Sequence, residues 1–421
     1  MKSPFDTDPY PGRPKILFIG LTESSHSHSW INLLDEADLN VRLFGLSSGV
    51  PPDSFNVRTY VTGVTPEKLN AQTRARFYSR MRTIQLFKKG FSRLIMGDVR
   101  AFEERWLASI IREWQPDVIH TLGLLPASFI YFRVRDKYRL RGIGKWVLQL
   151  RGGSDLTLER LDTEASSSIG EVLRSCDQLL SDNEENFKYA FEMGLREEQI
   201  SPLRTVPGTG GVDVAALSSV WQGQPSARRI ILWPKAYEVI WSKSLPVLEA
   251  LKLCWAEIQP CEIHMLAMCR ETRKWFLTLP EQIRQKCHIE HKRVPRERVL
   301  GLMTSARVML APSLVDGTPN SMFEAMATGA LPIVSPLDTI RPIVKDEQNV
   351  LFARNLYPAE IAAALSRAMT DDALVDSVAR TNLARVREIA DRATIRPRVV
   401  EFYEKLAERK LPVTPSGFNT K

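Results

Sequence analysis

The chain has 421 residues, 44% of them apolar and 25% charged, with a formal charge of +8, which suits two or three ordinary globular domains and favours an anionic partner such as a nucleotide, a phospholipid surface or nucleic acid. No run of roughly 18 apolar residues occurs, so a transmembrane helix is not expected, and Met1 to Arg13 lacks the apolar core of a signal peptide. Cys176, Cys254, Cys261, Cys269 and Cys287 are odd in number and show no C-x-x-C spacing, so they read as reduced cytoplasmic thiols that mostly fill core.

In chain order, Lys15 to Gly20 is an apolar strand. A polar loop with Ser25 and His26 follows, then a helix from about Trp30, and a second strand from Asn40 to Leu46. This is a Rossmann-like opening, but Gly20 stands alone without G-x-G-x-x-G, which argues against a dinucleotide cofactor. The Ser/His loop lies at a strand's carboxyl end, where open α/β sheets bind ligands; the plainer reading is a capping loop with surface histidines. Asp6-Thr7-Asp8 precedes the first strand in a Pro-rich tail and reads as chance.

Residues 73–97 carry Arg74, Arg76, Arg80, Arg82, Lys88, Lys89 and Arg93 with no acid, while Phe77, Met81, Ile84, Phe87, Phe91 and Leu94 fall at helical spacing. Two readings stay open: a domain helix with a solvated basic face, or an interfacial patch for anionic lipid or a phosphorylated acceptor. Pro116 to His120 and Lys145 to Leu150 are further strands, the second entering Arg151-Gly152-Gly153-Ser154-Asp155. Asp155 suits a helix N-cap. Arg204 to Asp213 is rich in breakers and reads as a hinge.

Arg229 to Trp233 begins a second α/β set, and Lys235 and Lys243 lie in the loop after it. Glu262 to Leu266 is a strand, and a loop with Lys292 and Arg293 follows His288. His264, His288 and His291 do not form a ligand set, so no metal is expected. Arg307 to Ser335 reads as strand, polar turn, helix, Gly stop and strand, with Thr318 as N-cap, Pro319 at the first helical position and Gly329 as the stop. Glu324 shares a polar helical stripe with Asn320 and Thr328. A carboxylate there can accept two hydrogen bonds from a vicinal diol such as ribose, and the N–H groups of the helix start can hold a diphosphate. The plainer reading is an ordinary α/β unit in which Asp316 caps a turn and Glu324 is solvated. Residues 358–410 are mostly helical by pattern, and the tail from Leu411 reads as frayed.

Pro312-Ser313, Asp316-Gly317, Pro319-Asn320-Ser321 and Glu324-Ala325-Met326-Ala327-Thr328-Gly329 resemble the signature of glycosyltransferase family 4, with Asp316 where the family has its first Glu and Glu324 as its second. Weaker likenesses are His26 to Trp30, Pro116 to His120 and Arg151 to Asp155, with Arg151 near a common His. The resemblance implies an α/β GT-B fold of two Rossmann-like domains facing across a cleft: an acceptor domain over 1–212, a donor domain over 213–395, and a C-terminal helix and tail over 396–421 that cross back. It implies a retaining, metal-independent hexosyltransferase without a cofactor. The donor would be a UDP- or GDP-linked sugar and the acceptor a saccharide or lipid-linked hydroxyl, in cell-surface polysaccharide, lipopolysaccharide or glycolipid synthesis.

The implied site has Asp316 on the transferred sugar and Glu324 on the ribose. Lys235 and Lys243 would hold the diphosphate with the helix start from Gly317, Thr318, Pro319, Asn320 and Ser321, and Lys292 and Arg293 would lie beside the base. His120, Ser25, His26, Arg151 and Asp155 would face the cleft. The implied location is the cytoplasm, with residues 74–94 against an anionic membrane as an optional contact, and nucleic acid is not an expected partner. Two rivals remain, a GT-B nucleotide-sugar epimerase and a non-enzymatic basic binding module.

Overall fold

A computed structural model describes residues 5–63, 74–77, 92–152, 155–291 and 294–408. Apolar β-branched and Leu-rich runs become strands buried on both faces, as in Ile16 to Ile19, each 0% exposed. Such runs fit parallel sheets with helices on either side. β1 (Lys15–Leu21), β2 (Asn40–Ser48), β3 (Arg58–Gly63), β4 (Ala75–Phe77), β5 (Val118–Leu122), β6 (Lys145–Leu150), β7 (Gln178–Ser181) and β8 (Ile200–Thr205) form an eight-stranded sheet in the order 4-3-2-1-5-6-7-8. β9 (Ile230–Trp233), β10 (Glu262–Leu266), β11 (Cys287–Glu290), β12 (Ala306–Ala311), β13 (Leu331–Val334) and β14 (Leu351–Phe352) form a six-stranded sheet in the order 11-10-9-12-13-14. The ladders are parallel; β1 pairs β2 and β5, and β9 pairs β10 and β12. In each sheet the strand order reverses beside a central strand, and crevices form at the carboxyl ends there.

The two lobes are joined by paired backbones. The Val212 N–H donates to Ala390 O at 2.9 Å, and the Arg392 N–H to Val212 O at 2.9 Å. The helix Arg392–Ala407, capped by Asp391, then returns to the first lobe, where Ile395, Val399, Phe402 and Tyr403 share a core with Phe18, Trp30 and Leu33. The Arg392 guanidinium donates to Ser29 O at 2.8 Å and Thr209 O at 3.3 Å, fixing the crossing.

Two local readings differ, at the first helix and at Asp155, and Asp8 gains a structural role. The first helix begins at Ser25 rather than near Trp30, because Ser24 Oγ accepts from the Ser27 N–H at 3.3 Å and caps it, and Trp30 and Ile31 then lie on its buried face. Asp8 is structural, accepting from Arg42 at 3.1 Å and from Trp114 Nε1 at 2.9 Å. Asp162, not Asp155, caps the helix Thr163–Ser175.

Of the basic segment 74–94, residues 78–91, including Arg80, Arg82, Lys88 and Lys89, lie outside the described residues, as do Lys292, Arg293 and the tail from Leu411. No helix among the described residues is long and apolar enough to cross a membrane. All five cysteines are free, with Cys176, Cys254 and Cys261 buried.

Candidate active site

The signature segment folds as β12, a tight loop, the helix Asn320–Thr328 and β13. Gly329 ends the helix at φ 78°, a left-handed conformation that glycine adopts without strain. The helix starts one residue later than its sequence suggests. Pro319, with ψ 122°, is the N-cap, and no side chain caps the first turn. The residue before a proline is driven away from helical backbone, so Thr318 stays outside the helix. Asn320, the first helical residue, accepts from Thr209 Oγ1 of the hinge at 2.7 Å. Ser321 Oγ is buried and makes no hydrogen bond among the described residues.

Two ion pairs converge on this helix start. Lys235, just beyond β9, donates to Asp316 at 3.1 Å, and the Gly317 N–H donates to the other Asp316 oxygen at 2.9 Å. The Asp316 charge, against the cost of burial, holds the Lys235 ammonium above its usual range, so it stays protonated. Glu324 accepts from Arg296 at 2.9 Å, its side chain only 12% exposed. Burial raises the Glu324 carboxyl, and Arg296 pulls it back toward the charged form.

A cleft of about 800 Å³ is lined by Lys235, Arg296, Asn320, Ser321 and Glu324 from the second lobe, and by Ser25 and His26 from the first. His26 is exposed on the cleft wall; desolvation by the surrounding protein, then the positive charges of Arg151, Lys235 and Arg296, hold it below its usual 6.5. It is therefore neutral near pH 7, a hydrogen-bonding group rather than a cation.

The other expected residues have partners of their own. Lys243 lies in the loop after β9 with Lys235 and is held by an acid. Its ammonium is 3.1 Å from Glu238, which also accepts from the Ser244 N–H at 2.8 Å. His120 does not reach the cleft; it is 0% exposed, with Nδ1 2.5 Å from the Tyr403 hydroxyl of the crossing helix. The reason is register: β5 continues to Leu122, so His120 is a mid-strand residue and not a strand end. Arg151 folds onto Gln149 Oε1 at 2.9 Å and reaches Ser27 Oγ at 3.5 Å. Asp155 accepts from the Arg151 and Leu124 N–H groups at 2.8 and 3.2 Å, joining two loops, and burial pushes it up to about 6.

Three contributors escaped the sequence reading. Arg296 begins the helix Arg296–Ser305, and its partner Glu324 is far along the chain, so no local spacing marks it. Asn355 ties the loop after β9 to the loop after β12, accepting from the Lys243 N–H at 3.0 Å and donating to Pro312 O at 2.9 Å. Asp182 follows β7 directly, and the rule that ligands gather at strand carboxyl ends was the signal for it. Its carboxylate accepts from the Gly152 N–H and from Asn183 Nδ2, each at 2.7 Å. It also abuts Gly317 of the other lobe: a Cβ there would lie 2.5 Å from Asp182 Oδ2 and 2.7 Å from Gly152 Cα.

Burial pushes Asp182 up to about 7 from an ordinary 3.8. Between these values the folded chain holds a proton that the unfolded chain has released. This group therefore makes stability fall as pH rises from about 4 to 7. Asp182→Asn, which keeps an acceptor for Gly152, is expected to flatten that slope and raise Tm most at pH 8. Thermal melts across pH check it; parallel curves for both proteins would reject it.

Residues 242–371 match the family described as "Glycosyl transferases group 1". No curated protein matches the chain by sequence. Among solved structures, sucrose-phosphate synthase from Thermosynechococcus elongatus is similar at TM-score 0.68 and 14% identity, over 94% of this chain and 99% of that one. Anabaena HepE in complex with UDP and glucose is similar at TM-score 0.64 and 13% identity, over 93% of this chain and 100% of that one. TarM of S. aureus, in complex with fondaparinux, an alpha-GlcNAc-glycerol and UDP, is similar at TM-score 0.65 and 8% identity, over 93% and 99%. The fold is GT-B, two parallel-sheet α/β lobes. With a stretch of its second lobe that matches the group 1 glycosyltransferases, the protein is a glycosyltransferase.

Proposed function

We propose that the protein is a retaining, metal-independent hexosyltransferase of the family 4 kind, taking a nucleoside-diphosphate sugar as donor and a hydroxyl of a saccharide or lipid-linked acceptor. The observation that carries this reading is the convergence of the Lys235–Asp316 and Arg296–Glu324 pairs on the uncapped start of the helix Asn320–Thr328. Glu324 accepts the ribose diol, and Asp316 orients the transferred sugar. As the glycosidic bond breaks, the leaving diphosphate gains charge. Lys235 and the first-turn amides meet that charge, so preorganised electrostatics and positioning supply the rate. The acceptor proton passes to the leaving phosphate. Ser25 and the neutral His26, across the cleft, offer hydrogen bonds to the acceptor.

A cytoplasmic site of action in cell-surface polysaccharide, lipopolysaccharide or glycolipid synthesis fits this chemistry. The acid-free run near Arg80 and Lys88 supports contact with an anionic membrane that carries the acceptor.

A binding screen of UDP-, GDP- and ADP-sugars, followed by product analysis with and without acceptor, tests the reading. A saturable preference for one donor and acceptor-dependent release of nucleoside diphosphate is expected. Product formation on the nucleotide-sugar alone would replace the transferase with an epimerase.

The lysines divide. Lys235→Ala is expected to weaken nucleoside-diphosphate affinity about tenfold or more, the worth of one charge-assisted hydrogen bond at roughly 1.5–3 kcal/mol. Lys243→Ala, whose ammonium is held by Glu238, is expected to cost less. Titration calorimetry on both variants decides; an equal or reversed loss would put Lys243 at the phosphates.

A further inference from the structure

On the outer side of the second lobe, Glu262 opens β10 and His264 lies two residues on, so both side chains leave one face of the strand. β11 runs parallel beside it, with His264 directly opposite His288. The two imidazoles stack with centroids 4.5 Å apart and planes at 18°. Both Nε2 atoms face the same oxygen, Glu262 Oε2, at 3.9 Å from His264 and 3.4 Å from His288. One ligand atom from each of the three residues lies within 4.8 Å of the others. His264 Nε2 is buried and has no hydrogen-bond partner among the described residues, an arrangement that folded proteins avoid unless the group serves something.

We propose that Glu262, His264 and His288 bind a divalent transition-metal ion of the zinc class. Two imidazole nitrogens and a carboxylate are ligands that such ions favour over magnesium or calcium, which take oxygen sets. Ligand atoms at ~2.0–2.1 Å from a tetrahedral ion stand roughly 3.3 Å from one another, close to the 3.4 Å between His288 and Glu262. The remaining approach is a side-chain rotation, since Glu262 and His288 are 55% and 52% exposed. Water completes the coordination, because three protein ligands leave one position open.

The nearby Arg298 guanidinium is neutralised by Glu290 at 2.7 Å and does not oppose the ion. Glu262 and His288 stand toward the amino ends of their strands, whereas the donor cleft lies at the carboxyl ends, so the ion is separate from sugar transfer. Its effect is to clamp the edge strand β11 onto β10. Sequence spacing among His264, His288 and His291 shows no such set, because it is the pairing of β11 beside β10 that brings His288 to Glu262 and His264.

The test uses the purified full chain with cobalt(II) as optical probe. One equivalent is expected to give visible ligand-field absorption that zinc(II) displaces, and saturating zinc to raise Tm by about 3 °C or more. His264→Ala with His288→Ala should abolish both signals, and Glu262→Gln should weaken binding at least tenfold. The exposed single variant His288→Gln, which leaves the core packed, should also lose the stoichiometric signal. The proposal is overturned if the native chain binds no equivalent of cobalt, or if binding persists in His288→Gln, which would place the ion elsewhere, for instance on a cysteine.

Discussion

Glu324→Ala is expected to lower kcat/KM for sugar transfer by roughly 10²–10⁴-fold while leaving the fold intact. The carboxylate lines the cleft with its side chain 12% exposed, and its ion-pair partner among the described residues is Arg296. Two charge-assisted hydrogen bonds to a diol, at roughly 1.5–3 kcal/mol each, amount to about 3–6 kcal/mol, which is that range in rate. The stability cost is small, because Arg296 is 38% exposed and rehydrates when its partner leaves. Glu324→Gln keeps the shape and one acceptor but loses the charge, so it should fall between the alanine variant and the native protein. The measurement is steady-state kinetics with the donor identified by the screen, alongside circular dichroism. Activity within about threefold of native in the alanine variant would remove Glu324 from the site.

Gly317→Ala is expected to cost about 10²-fold in kcat with a smaller change in donor affinity. The added carbon would sit 2.5 Å from Asp182 Oδ2, 2.7 Å from Gly152 Cα and 2.9 Å from Gly152 C, and two of those three atoms are backbone that cannot swing aside. The loop holding Gly317 must then retreat from the first lobe, carrying Asp316 with it, since the Gly317 N–H is held by the Asp316 carboxylate. A displacement of about an ångström at a reacting centre is worth a loss of this size. Gly301→Ala is the control. It lies in the helix Arg296–Ser305, has nothing within 4 Å of the new carbon, and should leave activity alone while adding a little stability. Native kcat in Gly317→Ala would show that the lobes need not meet at this point.

Much of the architecture is legible in the sequence. Runs such as Ile16 to Gly20 and Val308 to Ala311 announce buried parallel strands because every side chain in them is apolar or small, and a strand covered on both faces needs that composition. The turn from Asp316 to Gly329 was legible because its chemistry is local: a proline, a helix of nine residues and a glycine at φ 78° all act within a few bonds of one another. Glu324 was singled out by the resemblance of that turn and Lys235 by the resemblance of the loop after β9, and both line the cleft.

What only the tertiary structure decided are the contacts between residues distant in the chain. Whether His120 reached the cleft depended on two further residues of strand and on a tyrosine from the last helix. Arg296 meets Glu324, Asp182 meets Gly317, and Glu262 meets His288 only because separate strands and loops are brought side by side. Periodicity and capping record what a residue does to its own neighbourhood; they carry no trace of a partner supplied by another turn of the chain. The sequence by itself determined the elements and the turn that opens the helix Asn320–Thr328. The packing of one lobe against the other, and of one strand beside the next, chose which charges stand together.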